Sequence, residues 1–126
     1  MRFVKLLVLI VVTAVLVACS SMGDDENAPA VAVEAYLEAK VAGDASTIQA
    51  LLCSDMEQDL ERETQTFATV SEASIENMSC THTGEGRVAC EGTITALYGT
   101  EVTEFPLTNY RAVEEDGEWK WCGEIE

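Results

Sequence analysis

The chain has 126 residues, with 7 Lys and Arg against 23 Asp and Glu, for a formal net charge of −16 at pH 7. The acids are spread along the sequence rather than gathered in a tail, so the whole surface repels phosphate backbones and anionic headgroups. That excludes nucleic acid as a partner, and the length leaves room for one small domain.

Met1 to Lys5 is short and carries Arg2 and Lys5; from Leu6 to Ala18 no residue is charged and only Thr13 is polar. A basic start followed by a short apolar run is the order of a secretory leader, and thirteen residues fall short of a comfortable membrane span. The run ends at Leu16-Val17-Ala18-Cys19. This resembles the lipobox of bacterial lipoproteins: a branched aliphatic residue, a variable one, a small one, then cysteine. The resemblance implies a diacylglyceryl group on the Cys19 sulfur, cleavage before Cys19, and a lipid bilayer as first partner. A mature chain from Cys19 to Glu126 would keep five basic residues against all 23 acids. The expected division is a signal peptide at 1–18, a lipidated N-terminus and flexible tether at 19–27, and one domain at 28–126. That places the domain on the extracytoplasmic side of a cell membrane or outer membrane.

Cys19 also resolves an odd count. Of five cysteines, Cys53, Cys80, Cys90 and Cys122 remain, an even set that in an exported domain reads as two disulfides with three possible pairings. No Cys-x-x-Cys pair occurs and His82 is the only histidine, so neither a redox motif nor a zinc site is indicated. No cofactor-binding motif is present.

After the acidic "SSMGDDEN" segment, Val33, Tyr36, Leu37 and Val41 fall on one helical face. Gly43 suits a helix end and Asp44 an N-cap for a second helix carrying Ile48, Leu51 and Leu52. "SDME" at 54–57 matches the S-x-x-E capping box, which predicts a third helix buried through Met56, Leu60 and Phe67. Beyond Val70 the pattern becomes strands: 75–81, 88–98, 101–113 and a last one in "EWKWCGEIE". A turn centred on Glu85 puts Cys80 opposite Cys90, at a separation a disulfide bridges, which leaves Cys53 for Cys122. Pro106 has no amide hydrogen, which predicts a bulge or sheet edge beside it. Asp116-Gly117 suits a two-residue hairpin.

The order predicts an α+β fold, N-terminal helices packed on one face of a four-stranded antiparallel meander. "VEAYLEAKVAGDASTIQALLC" resembles the opening helical pair of nuclear transport factor 2-like (cystatin-like) domains, and "DGEWKWC" resembles their last hairpin. The resemblance implies a strongly curved, cone-like sheet wrapped around the first helix and a cone-shaped cavity that some members use for ligands or catalysis. Tyr36, Trp119 and Trp121 are the candidate cavity residues, with Arg111 as a cation to orient an anion there. For catalysis the candidates on this fold are His82, Asp44 and Tyr110, but His82 sits at a turn and Asp44 is explained by capping. Without a catalytic set, the reading is a non-enzymatic binding or interaction module meeting an envelope protein. Alternatively it carries or senses a small ligand, and an isomerase or dehydratase ranks behind both.

Overall fold

A computed structural model describes residues 26–126. Cys19, the leader and most of the tether lie outside the described residues.

The first helix, α1 (Ala28–Ala42), carries Pro29 in its first turn, where a fixed φ and a missing N–H are no cost. Val33, Tyr36 and Leu37 are buried on its inner face. Gly43 ends it at φ 67, in the left-handed region, and its N–H closes on Lys40. Asp44 then caps α2 (Ala45–Leu51), accepting from the Thr47 amide at 3.3 Å and the Thr47 hydroxyl at 2.7 Å. Those two donors hold its carboxyl below the usual carboxylate range.

The capping box at 54–57 does not form. Ser54–Asp59 is a 3-10 segment without a side-chain cap of its own. The Ser54 amide and hydroxyl instead donate to Glu115, 61 residues away, at 2.9 to 3.2 Å. A long-range carboxylate displaces the local one, so only the short α3 (Leu60–Gln65) follows.

Five strands build one antiparallel sheet: β1 (Ala73–Gly84), β2 (Arg87–Tyr98), β3 (Glu101–Pro106), β4 (Asn109–Glu115) and β5 (Glu118–Ile125). The expected third strand at 101–113 is therefore two, and the sheet has five strands rather than four. The break falls directly after Pro106, at Leu107 and Thr108, where the ladder along β2 is interrupted. One edge of β2 pairs with β1 along its length. The other is shared, with β4 opposite 87–89 and β3 opposite 93–98. β5 completes the path β1-β2-β4-β5, and the sheet does not close.

The register shifts at three places, once beside the β1–β2 turn between His82 and Gly84 and twice at bulges inside the strands that curve the sheet. On β1, Asn77 and Met78 oppose Gly92 alone; Asn77 has φ 56 and Gly92 φ 122. On β5, Cys122 and Gly123 oppose Arg111, with Gly123 at φ 101. Each extra residue increases local twist and bends its strand. The curled sheet receives α1 on its concave face, where Val33, Tyr36, Leu37, Val88, Ile94, Leu107, Tyr110 and Trp121 form the core.

Disulfides join Cys80 to Cys90 and Cys53 to Cys122. The first lies inside the β1–β2 ladder, in the register that the turn at Glu85 and Gly86 imposes. The second fastens the end of α2 to β5, where the Cys53 amide also donates to the Trp121 carbonyl at 3.0 Å. Its partners are 69 residues apart against 10 for the first, so on the chain-entropy argument it contributes about 4 kcal/mol against about 3.

The β1–β2 turn is also pinned from the side. The Gly86 carbonyl accepts from the Ala112 amide at 2.7 Å, its φ is 75, and an added Cβ would stand 2.3 Å from the Ala112 carbonyl oxygen. Gly86→Ala is accordingly expected to cost more than about 2 kcal/mol, read as a lowered urea midpoint under non-reducing conditions. Gly117→Ala, with open space around its Cβ position at φ 80, carries only the backbone strain and is the milder control.

Candidate functional site

Where α1 enters the curled sheet, Tyr36 stacks on Trp121 with ring centroids 4.0 Å apart and planes 7° apart. Both rings are buried, and the Lys40 ammonium lies 5.6 Å from the Trp121 ring centroid. Lys40 Nζ is also 2.6 Å from Glu63 Oε2, an ion pair with both side chains largely withdrawn from water. Glu63 is the one charged side chain in the core among the described residues. Leu60, Glu63 and Phe67 follow the i, i+3, i+7 spacing of one helical face, so α3 directs a carboxylate inward. The buried Tyr36 hydroxyl lies beside that carboxylate. Burial first, then the Glu63 charge, pushes the phenol well above its usual range, so Tyr36 stays neutral.

Beside this cluster a cavity of about 240 Å³ opens at the mouth of the cone. Its walls are largely aromatic, from Phe67, Tyr98, Phe105, Tyr110 and Trp121, with Lys40 and Glu124 as charged members. Phe105 meets both Phe67 and Tyr98 edge-on, at 6.1 and 6.4 Å. Tyr110 is buried, which raises its phenol, and its hydroxyl accepts from the Thr108 amide at 3.4 Å. The Trp121 indole N–H is buried and has no hydrogen-bond partner among the described residues. The Tyr36 hydroxyl beside it is likewise buried without a hydrogen-bond partner among the described residues, and an unpaired buried donor costs about 1–3 kcal/mol.

The four residues singled out for a cavity separate. Trp121 lines it and Tyr36 backs it through the stack. Trp119 lies in a different, outward-facing groove. Arg111 is exposed on β4 and is not part of the cavity wall. The phase of β5 explains the first pair, since residues 119 and 121 both meet α1 but at different points along it.

The other chemical candidates have structural duties. His82 is half-buried: Nε2 accepts from the Gly86 amide at 3.3 Å, which leaves the proton on Nδ1 to donate to the Glu26 carbonyl at 2.8 Å. It thereby ties the start of α1 to the β1–β2 hairpin. Asp44 is a helix cap. Lys40 and Glu63 were not singled out by sequence. Their signal was a charged residue at i+4 from Tyr36 and another on an apolar helical face.

Among solved structures, the designed protein Rd1NTF2_05, carrying five substitutions, superposes with a TM-score of 0.54 at 16% identity, over 77% of this chain and 95% of that one. A "Putative Scytalone Dehydratase" from Novosphingobium aromaticivorans matches at a TM-score of 0.49 and 14% identity, over 75% and 77%. No family profile and no curated protein matches the sequence. The fold is that of nuclear transport factor 2-like cone domains.

Two outcomes test the buried cluster. Lys40→Met leaves the buried Glu63 carboxylate only the exposed Arg62 guanidinium, 3.7 Å away, and is expected to lower stability by about 2 kcal/mol. Lys40→Met with Glu63→Leu removes both charges and should recover most of that loss in urea titrations. Because Tyr36 is held above the free phenol pKa of 10.0, the unfolded chain releases this proton first as pH rises. The stability tied to Tyr36 is therefore complete below pH 10 and lost above it. Tyr36→Phe should move the alkaline unfolding midpoint upward, and Tyr36 phenolate absorbance should appear only with unfolding.

Proposed function

We propose that the protein is a lipid-anchored, extracytoplasmic binding module that holds a small molecule at the mouth of its cone. The single observation behind this is the cavity of about 240 Å³ walled by Phe67, Tyr98, Phe105, Tyr110 and Trp121 beside the buried Tyr36–Trp121 stack. Apolar walls with a few placed polar groups are the usual composition of small-molecule sites. The walls favour a flat, apolar body. Charge narrows the class further. Lys40 is already engaged by Glu63, Glu124 stands at the mouth, and the whole chain carries −16, so the ligand would be neutral or cationic rather than anionic.

Anchoring through Cys19 rests on the leader and lipobox alone. It would hold the module at the envelope by two or more acyl chains, each buried methylene contributing about 0.8 kcal/mol. Among the residues lining the cavity there is no histidine, Lys40 is paired with Glu63 and the Tyr110 hydroxyl accepts from the Thr108 amide.

Native mass spectrometry of the full chain, released gently from membranes in detergent, tests the binding reading. Extra mass that leaves on denaturation, and is lost in Trp121→Phe, is the expected result. A bare polypeptide mass whose tryptophan emission ignores neutral aromatic extracts would overturn it. Replacing Cys19 by Ser should release the protein or leave its leader uncut, visible by fractionation and size.

A further inference from the structure

α1 is apolar on nearly every side: along Ala28–Ala42 the only charges are Glu34, Glu38 and Lys40. A helix of that kind is normally covered all round. Here Val33, Tyr36 and Leu37 enter the core, but a second stripe, Ala28, Val31, Ala32 and Ala35, does not. With Leu51 of α2 and Trp119 of β5 it walls an open groove of about 590 Å³ on the outside of the domain. Val31 is 54% exposed, more than any other large apolar side chain of α1. The groove's one carboxylate, Glu118, is paired with Lys120 at 3.1 Å, and the Lys120 ammonium also donates to the Ala50 carbonyl. The surface is thus apolar, locally neutralised, and finished by a tryptophan.

Its position identifies what covers it. The groove begins at Ala28, the first residue of α1. The chain preceding it carries the uncharged run Leu6–Ala18 and Cys19. Nine residues from Cys19 to Ala28 span at most about 30 Å when fully extended, so whatever holds Cys19 in a membrane holds this groove at the membrane surface. A second copy of the chain fits less well, because two bodies of charge −16 repel. A zwitterionic lipid surface does not oppose the approach. Tryptophan beside aliphatic side chains is the combination that settles at the level of the headgroups.

We infer that the α1–α2–β5 groove is a lipid-docking face: Val31, Leu51 and Trp119 rest in the interface of the membrane that the N-terminus enters. The inference depends on the anchoring reading above. Docking orients the domain. The groove uses the first half of α1 and the cone mouth uses Leu37 and Lys40 in the second, about 14 Å from Val31 to Lys40 along the helix. The mouth is thereby offset from the docked face and left accessible to a ligand.

The two tryptophans make the test internal to the protein. The full chain, purified from membranes, is reconstituted into phosphatidylcholine vesicles with and without brominated acyl chains. In Trp121→Phe, emission from Trp119 should fall by roughly half or more with brominated lipid. In Trp119→Phe, the buried Trp121 should be quenched by roughly a tenth or less under the same conditions. Val31→Glu, at an exposed position in the otherwise native chain, should abolish the quenching while flotation with vesicles is unchanged, which covers the case in which Trp121→Phe fails to fold. Flotation with no quenching difference between native chain and Val31→Glu overturns the docking face and leaves the anchor standing. Failure to float overturns both.

Discussion

The structure depends on Trp121. Its ring is the floor on which Tyr36 stacks and over which Lys40 lies, so it joins β5 to α1 in the core. Its backbone is a second point of closure, because the Trp121 carbonyl receives the Cys53 amide and Leu52 bridges to the same residue. The Cys53–Cys122 bond lies immediately beside these contacts. Helix, helix end and last strand thus meet at a single residue of a domain too small to spread that load widely.

The same residue carries the candidate site. A buried indole is stable only when its large apolar area outweighs an unpaired N–H, and here the stack on Tyr36 and the packing of Tyr110 provide that area. The Lys40–Glu63 pair stiffens the rim of the cavity rather than reacting within it. A buried pair gains its attraction in a low-dielectric setting but loses hydration, so it adds specificity of arrangement more than net stability.

Much of this was legible in the sequence. The spacing of Val33, Tyr36 and Leu37 marked the inner face of α1, and Gly43-Asp44 marked the break, because positive φ and N-capping are demands of the local backbone. Asp116-Gly117 marked the last hairpin for the same reason. The turn at Glu85 set the register that brings Cys80 opposite Cys90. Where a partner lay far along the chain, the local signal misled. "SDME" has the form of a capping box, but Glu115 reaches Ser54 from β4 and the segment stays 3-10. Pro106 marked trouble in the third strand without saying that the ladder breaks there completely.

By itself the sequence determined the two opening helices, the hairpin turns at Glu85 and Asp116-Gly117, the even set of domain cysteines, the acidic surface and the order of helices before strands, since each follows from composition or from neighbours within a few residues. Only the tertiary structure decided which of two tryptophans two residues apart joins the core cluster at the cone mouth and which lines the outer groove. It alone brought Lys40 and Glu63 together across 23 positions of sequence and left Arg111 outside the cavity wall. Those outcomes turn on the bulges that curl the sheet and on the angle at which α1 enters it. Both arise from contacts between residues far apart in the chain, for which no local pattern exists.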